Sequence, residues 1–259
     1  MPTDISEGQV VLKPGQIYLW TLSTEGTPSP ATAHCLHGIL SDSERDEARR
    51  FQRLADWQQF VVARALLRTA LSRHFLVPAG DWRFDRDENG KPFIVAPALY
   101  SPARFSVSHT QGLVACLITL SAEAAGVDVE KIEHKPDLPL VAEQVLSNAE
   151  RAALSTLSGK EWTTRFFEHW TLKEAYAKAR GLGLGLGFRD ISFEMTQRNT
   201  EPAQFAFRAH DNSSAWVFWH RHLPSRHIIS VAVKKHCSRE PEIVLRQVMF
   251  QGKRIALAA

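Results

Sequence analysis

Residues 126–130 read Gly-Val-Asp-Val-Glu, a run in which valines alternate with acids. If the run is a strand, side chains two positions apart point to the same face, so Asp128 and Glu130 converge. The intervening valines then face the core. This segment therefore predicts a mostly buried strand that carries two carboxylates on one side.

A second segment, at residues 170–178, reads Trp-Thr-Leu-Lys-Glu-Ala-Tyr-Ala-Lys. Residues four apart on a helix are neighbours, so Trp170, Glu174 and Lys178 form one stripe. The predicted helix therefore adds a third carboxylate and an ammonium group to the two acids of the strand.

Three carboxylates suit a hard, octahedral Mg²⁺ ion when phosphate oxygens and water supply the other ligands. Lys178 fits phosphate as a point charge. A structural interpretation stays open, because Asp-x-Glu is common at strand edges and Glu/Lys pairs four residues apart are usually solvated. Acids between buried valines favour the functional interpretation, since a buried carboxylate needs a partner or a metal.

The composition is that of an ordinary globular protein: of 259 residues, 44% are hydrophobic and 23% are charged. The 31 basic and 28 acidic residues give a net charge of +3. This balance favours anionic partners but is below that of many nucleic-acid binders, so we expect no nucleic-acid partner.

The three cysteines, Cys35, Cys116 and Cys237, are widely spaced and contain no C-x-x-C motif. They predict neither a disulfide framework nor a cysteine metal cluster, which favours a reducing cytoplasm. Residues 1–12 lack the pattern of a signal peptide, and no stretch has the roughly 20 apolar residues of a membrane span. We therefore expect a cytoplasmic protein without a membrane partner.

The sequence repeats one pattern about 106 residues apart. Residues 41–45 (Ser-Asp-Ser-Glu-Arg) and 147–151 (Ser-Asn-Ala-Glu-Arg) both match a capping box that opens a helix. Each is followed by an acid and a tryptophan, at 56–57 and 161–162, near the start of a longer helix. The repetition predicts two similar halves that arose by duplication, although capping boxes are frequent enough for chance to remain an alternative.

Strand-like runs surround these helices. They are residues 17–22, 92–96, 105–108, 113–120, 126–132, 191–194, 204–208, 215–220 and 228–233. The fold class is therefore α/β (α+β), with two subdomains that each pack helices on a small sheet. We assign residues 1–123 to the N-terminal subdomain and 124–259 to the C-terminal one.

Several other residues are candidates for chemistry, each with a plain structural alternative. Ser108 and His109 end a predicted strand, where they can reach a ligand, and Lys91 follows the Asn89-Gly90 turn. Four histidines cluster near the C-terminus, and four arginines form a basic run on the first helix. The histidines are His220, His222, His227 and His236, which we interpret as part of a surface-facing strand. The arginines are Arg45, Arg49, Arg50 and Arg53, and such a run is usually a solvated face.

Four segments, 90–92, 105–109, 126–130 and 170–178, together resemble the 4′-phosphopantetheinyl transferases of the surfactin-synthetase-activating type, and in the same order. The similarity extends from about residue 17 to 233. It implies two similar α/β halves related by a pseudo-twofold axis, with coenzyme A and Mg²⁺ in the cleft between them. Two halves in one chain imply a monomer.

The resemblance also implies a reaction. Members of this family move the phosphopantetheine arm of coenzyme A to a serine of an acyl or peptidyl carrier protein and release adenosine 3′,5′-bisphosphate. The alternative is a non-catalytic module that binds coenzyme A or a carrier protein.

By the same resemblance, Asp128, Glu130 and Glu174 hold the Mg²⁺ ion, and Lys178 contacts the same phosphates. Glu174 accepts the proton of the attacking serine, directly or through water, with Glu130 as the rival base. Catalysis then rests mainly on positioning and electrostatics.

Ser108 and His109 match residues that contact the adenosine 3′-phosphate, and Lys91 and Arg86 match basic residues near the nucleotide. The first helix departs from the family pattern. It carries Glu44 and Glu47 where family members often have lysines. Gln59 lies near the position at which the surfactin-type enzymes have a ligand arginine. One of Arg45, Arg49, Arg50 and Arg53 is expected to compensate. The carrier is expected to dock on residues 134–150, with Leu138 and Leu140 exposed.

Overall fold

The computed structural model describes residues 9–25, 30–197, 204–209, 213–236, 240–251 and 254–257. The strands are β1 (Gln16–Ser23), β2 (Arg83–Arg86), β3 (Pro92–Ala96), β4 (Arg104–Thr110), β5 (Leu113–Thr119), β6 (Ala122–Lys131), β7 (Ser192–Gln197), β8 (Gln204–Arg208), β9 (Trp216–Leu223), β10 (His227–Lys235), β11 (Glu242–Gln251) and β12 (Arg254–Leu257). The α-helices are α1 (Pro30–His37), α2 (Asp42–Ala48), α3 (Leu54–Phe75), α4 (Leu138–Val145), α5 (Asn148–Leu154) and α6 (Gly159–Arg180).

Contacts divide the chain into two units, residues 1–121 with 241–259 and residues 122–240. In the first unit the sheet order is β12-β11-β1-β5-β4. Helix α3 supplies much of the core beneath this sheet, because nearly every residue of its apolar face is buried. A separate hairpin, β2-β3, turns at Gly90, whose positive φ of 82° suits glycine.

The C-terminal strands belong to the first unit, which corrects the assignment of residues 124–259 to one subdomain. Strand β11 pairs in parallel with β1, from Gln16 beside Glu242 to Leu22 beside Val248. The pairing joins segments more than 200 residues apart in the chain, so no local sequence pattern predicts it. The contact boundary lies at residues 121 and 122, against 123 and 124 from the sequence.

The second unit is built on the antiparallel sheet β6-β10-β9, with a separate β7-β8 hairpin. Helix α6 packs on β6 and β10 and buries Phe166, Phe167, Leu172, Ala175 and Tyr176. The fold class predicted from the sequence is confirmed, since each unit combines small sheets with helices.

Helix α6 crosses β6 at Gly126 with no space for a side chain. A Cβ atom built on Gly126 lies 2.1 Å from the backbone oxygen of Ala175 and 2.5 Å from the backbone nitrogen of Ala179. Neither atom belongs to a flexible side chain that could move aside. The glycine therefore sets how closely the helix approaches the strand two residues before Asp128.

Each unit anchors its 22-residue helix through the glutamate of a capping box. In the first unit, Glu44 completes the box with Ser41 and also bonds the buried Arg68 of α3, with Oε2 2.8 Å from Nε and 2.7 Å from Nη2. Arg68 donates further hydrogen bonds to the carbonyl oxygens of Ala79 and Trp82. Glu44 is thus a buried structural residue whose carboxylate pairs with Arg68.

Glu150 plays the same part in the second unit. It completes the capping box with Ser147 and lies 2.6 Å from Nζ of Lys173 on α6. Lys173, like Arg68, is the fifteenth residue of its helix. Its ammonium group also donates to three backbone carbonyls. The shared arrangement extends the predicted internal repeat from the capping box to a buried ion pair.

Cys35 and Cys116 are free thiols, the first exposed and the second buried, and burial raises the pKa of the Cys116 thiol. Cys237 lies outside the described residues. In the part of the chain that the structure describes, every helix is too short or too polar to cross a bilayer.

We expect Gly126→Ala to destabilise the protein by about 1–3 kcal/mol, because the added methyl group meets the backbone of α6. The matched control is Gly185→Ala in the same unit, where a Cβ has nothing within 4 Å. Urea unfolding of both variants measures the difference. Equal midpoints would show that the crossing tolerates a side chain.

We expect Glu150→Gln to lower the free energy of unfolding at pH 7 by about 3–5 kcal/mol, because Lys173 loses its buried counter-charge. Although burial opposes ionisation, the hydrogen bond and charge of His169 and the charge of Lys173 lower the pKa of Glu150 to about 2. The ionised carboxylate therefore stabilises the fold above the ordinary pKa of 4.5 and loses that effect as the pH falls towards 2.

The gap between wild type and Glu150→Gln should accordingly narrow below pH 4.5. Glu161→Gln, at an exposed position of α6, is the control and should leave the unfolding midpoint unchanged. A gap that stays constant down to pH 3 would contradict this assignment of charge.

Candidate functional site

The two strand acids lie on β6 as the sequence predicts. Asp128 is 3% exposed and Glu130 is half-buried, while Val127 and Val129 are buried. The alternation of the strand places both carboxylates on one face and both valines on the other. The pairing of β6 with β10 along its whole length fixes this register.

The predicted helical stripe of α6 meets these acids. The indole Nε1 of Trp170 donates to Oε1 of Glu130 at 3.3 Å, and Nζ of Lys178 donates to Oδ1 of Asp128 at 2.6 Å. Glu174 lies one helical turn from each of these residues. Helix α6 therefore contacts β6 through two hydrogen bonds, and Glu174, the third carboxylate, lies on the helix between them.

The three carboxylates of the site influence one another electrostatically. Burial raises the pKa of Glu174 to about 7, and the negative charges of Asp128 and Glu130 act in the same direction against Lys178. Like charges that share a poorly solvated region favour a bound cation. An all-oxygen donor set fits a hard ion such as Mg²⁺, so the residues present suit the metal that the sequence predicts.

Aromatic packing holds Trp170 in place. Its ring stacks on Phe166, with centroids 6.3 Å apart, and meets Phe188 edge-on at 5.9 Å. The indole N–H that reaches Glu130 is thus carried by a side chain that its neighbours restrain. The sequence placed Trp170 in the stripe but gave no sign that it bonds an acid.

The residues expected near the nucleotide lie in the first unit, whereas the acids lie in the second. Arg86 forms an ion pair with Glu47 at 3.3 Å and donates to the carbonyl oxygen of Gly90. Burial, together with the charge of Arg104, lowers the pKa of Lys91 to about 8 against the opposing charge of Asp87. The β2-β3 hairpin thus carries two basic groups beside its turn.

Ser108 and His109 are neighbours on β4, but the structure does not bring them to the same face of the sheet. Ser108 is buried and His109 is exposed, as expected for adjacent strand positions. Arg53 is exposed and stands immediately before α3, without a capping hydrogen bond from its side chain.

Comparison with known proteins identifies the chain. Residues 124–232 match the model of the 4′-phosphopantetheinyl transferase superfamily, and residues 24–121 match that of the 4′-phosphopantetheinyl transferase N-terminal domain. The chain is 30% identical to the 4′-phosphopantetheinyl transferase HetI of Nostoc sp. over 73% of this chain and 77% of that protein. The chain belongs to the 4′-phosphopantetheinyl transferase family.

Two further relatives support the assignment. The transferase is 31% identical to the 4′-phosphopantetheinyl transferase Sfp of Bacillus subtilis, over 61% of this chain and 68% of that protein. It is 29% identical to a phosphopantetheinyl transferase of Thraustochytrium sp., over 87% and 81% of the two chains. The resemblance found in the sequence is therefore confirmed, and the protein is an enzyme of this family.

The basic run of this transferase does not form one helical face, which corrects the sequence interpretation. Helix α2 ends at Ala48, so Arg49, Arg50 and Arg53 follow it. Arg45 and Arg49 form ion pairs with acids three residues earlier in the chain. Their charges are therefore partly compensated locally.

The prediction of a surface-facing histidine strand is also wrong in part. His220 on β9 is 1% exposed and His227 on β10 is fully buried, whereas 45% of the His222 side chain and 75% of the His236 side chain are exposed. The alternation of β9 does not predict this, because aromatic residues occupy both faces of the strand. The imidazoles are buried because polar partners meet them there, including Ser230 and Ser225.

Of the two leucines predicted to be exposed on the carrier-docking segment, the structure exposes only one. Leu140 is 64% exposed, as expected, but Leu138 is buried. Both belong to α4, and residues two apart on a helix point in different directions. Leu140 is the large apolar side chain that this helix presents to solvent.

Proposed function

We propose that this transferase moves the phosphopantetheine arm of coenzyme A to a serine of an acyl or peptidyl carrier protein in an Mg²⁺-dependent reaction. The observation that carries the proposal is the group of three carboxylates on β6 and α6 beside one ammonium group. A pyrophosphate with a divalent cation is the ligand whose charges suit such a group.

Asp128, Glu130 and Glu174 are the proposed metal ligands. When bound, Mg²⁺ supplies a positive charge that stabilises the negative charge developing on the pyrophosphate. The structure holds each residue in place. Asp128 accepts a hydrogen bond from Lys178, and Glu130 accepts one from Trp170. Glu174 lies on α6 between Trp170 and Lys178. The site is therefore organised before a ligand arrives.

Lys178 is proposed to contact the phosphates while retaining its place beside Asp128. Its side chain is about one third exposed, so the ammonium group can meet solvent and ligand as well as the acid. A lysine provides a point charge for phosphate without the fixed geometry of a guanidinium. This position makes Lys178 part of the reacting site.

The reaction joins the serine oxygen to a phosphorus atom of the pyrophosphate and breaks the bond from that phosphorus to the leaving group. Adenosine 3′,5′-bisphosphate departs with the bonding electrons. The serine hydroxyl loses its proton, and Glu174 is the proposed acceptor, directly or through water, with Glu130 as the alternative. The carboxylates thus both position the ligand and accept the proton.

Residues of the first unit are proposed to bind the nucleotide part of coenzyme A. Lys91 and Arg86 supply positive charge at the β2-β3 hairpin, and Ser108 and His109 are proposed for the 3′-phosphate. Arg53 is a further proposed contact, since its side chain is exposed and free of a capping role. The assignments of Lys91, Arg86, Ser108 and His109 rest on the family positions that they match. Arg53 is proposed because it can compensate where the first helix departs from the family pattern.

The proposed partner is an acidic carrier protein. The net charge of +3 favours such a partner, and Leu140 offers an exposed apolar contact on α4. We propose that the enzyme acts as a monomer, because one chain holds both units. We also propose that it works in the cytoplasm, because its cysteines predict no disulfide framework.

Intact-mass spectrometry of an apo acyl carrier protein tests the reaction. After incubation with the transferase, coenzyme A and Mg²⁺, we expect the carrier to gain the mass of one phosphopantetheine group. Glu174→Ala should slow the gain by about 100-fold or more, because the variant loses a metal ligand and the proposed base. Glu161→Gln, an exposed position on the same helix, should react at the wild-type rate.

Different failures have different meanings. No mass gain with several acyl and peptidyl carriers, while coenzyme A still binds, would favour a non-catalytic binding module. A normal rate in Glu174→Ala would leave the transferase intact but would remove Glu174 from both proposed roles.

A further inference from the structure

A second cluster of ligand-type side chains lies on the same helix as Glu174 but shares no residue with the proposed Mg²⁺ site. Glu168 on α6 and His220 and His222 on β9 each direct one donor atom into a common region. These three atoms all lie within 4.8 Å of one another. Neither the proposed transfer reaction nor the family assignment uses this cluster.

The fold accounts for the convergence. His220 and His222 are two apart on β9, so they share a face of the sheet. Ser230, opposite His220 on β10, bonds Thr171 of α6, so this face is the one covered by the helix. Glu168 precedes Thr171 by three residues and lies on the same side of α6.

A directed chain of hydrogen bonds fixes the tautomer of His220. The hydroxyl of Thr171 donates to the carbonyl oxygen of Phe167 at 2.9 Å, so it accepts from Ser230 at 2.8 Å. Ser230 has one proton, which this bond uses, and it must accept from Nδ1 of His220 at 2.8 Å. Nδ1 therefore carries a proton, and in the neutral ring Nε2 keeps its lone pair.

His220 is also kept neutral. Its side chain is 1% exposed, and burial lowers its pKa to about 4 despite the opposing charge of Glu168. A neutral imidazole whose second nitrogen is held by a hydrogen bond is the form in which histidine binds metals.

Glu168 divides its two oxygens between different partners. Oε2 pairs with Nε of Arg165 at 3.1 Å, and Oε1 lies 2.9 Å from Nε2 of His222. Burial opposes ionisation, but the hydrogen bond from His222 and the charge of Arg165 bring the pKa of Glu168 below its usual value. The carboxylate is therefore charged, and Oε1 faces the histidines.

We propose that Glu168, His220 and His222 bind a divalent transition-metal ion of the Zn²⁺ type. Two imidazoles and one carboxylate form a borderline donor set, which suits Zn²⁺ better than Mg²⁺. Three protein ligands leave a coordination position for water. His222 gives access, because 45% of its side chain is exposed.

The ion would link the first half of α6 to β9 through bonds stronger than the hydrogen bond that His222 now makes with Glu168. The expected consequence is a more stable second unit in the presence of the metal. This consequence does not depend on transfer activity, so its failure and that of the proposed function are separable.

Competition with a chromophoric chelator measures Zn²⁺ binding by the tag-free, full-length protein, with Mg²⁺ in excess to occupy the oxygen site. We expect one Zn²⁺ per chain. His222→Ala and the isosteric Glu168→Gln should each weaken binding by about tenfold or more. His34→Ala is the matched control, since it removes an exposed histidine from the stacked pair of His34 and His37 and should change nothing.

Thermal unfolding supplies a second readout. Zn²⁺ should raise the unfolding temperature of wild type and His34→Ala but not that of His222→Ala. Circular dichroism shows whether each variant is folded, and the exposed position of His222 favours a folded product. Unchanged Zn²⁺ affinity in folded His222→Ala and Glu168→Gln, or Zn²⁺ displaced by excess Mg²⁺, would overturn the proposal.

Discussion

The approach of α6 to β6 at Gly126 is the constraint on which the candidate site depends. With backbone atoms of the helix where a Cβ would lie, the strand and helix are closer than side chains normally permit. Lys178 can then reach Asp128, and Trp170 can reach Glu130, from positions about two turns apart on one helix. A wider crossing would separate the acids of the strand from Glu174.

That crossing is held by buried charge as well as by packing. Lys173 lies one residue before Glu174 and is anchored to Glu150 and to three backbone carbonyls. The first unit has the equivalent pair, Glu44 and Arg68, without an acid cluster on its long helix. The two units thus anchor their long helices in the same way, and the helix of the second unit also carries residues of the candidate site.

The sequence predicted the acid strand, the helical stripe and the fold class, because these follow from periods of two and about four residues. It did not predict the return of β11 to the first unit, since parallel pairing over such a distance leaves no local signal. It also missed the buried His220, because burial there depends on Ser230 and Thr171 from other elements. Leu138 was misplaced for a simpler reason: a short amphipathic helix shows only one of two nearby leucines to solvent.

Asp128, Glu130 and Glu174 are proposed to bind a metal ion together with the pyrophosphate of coenzyme A. A crystal structure with Mn²⁺ and coenzyme A, examined by anomalous diffraction at the manganese edge, tests it directly. We expect one peak at direct ligand distance from these three carboxylates. Ordered coenzyme A without a peak at these residues would contradict it.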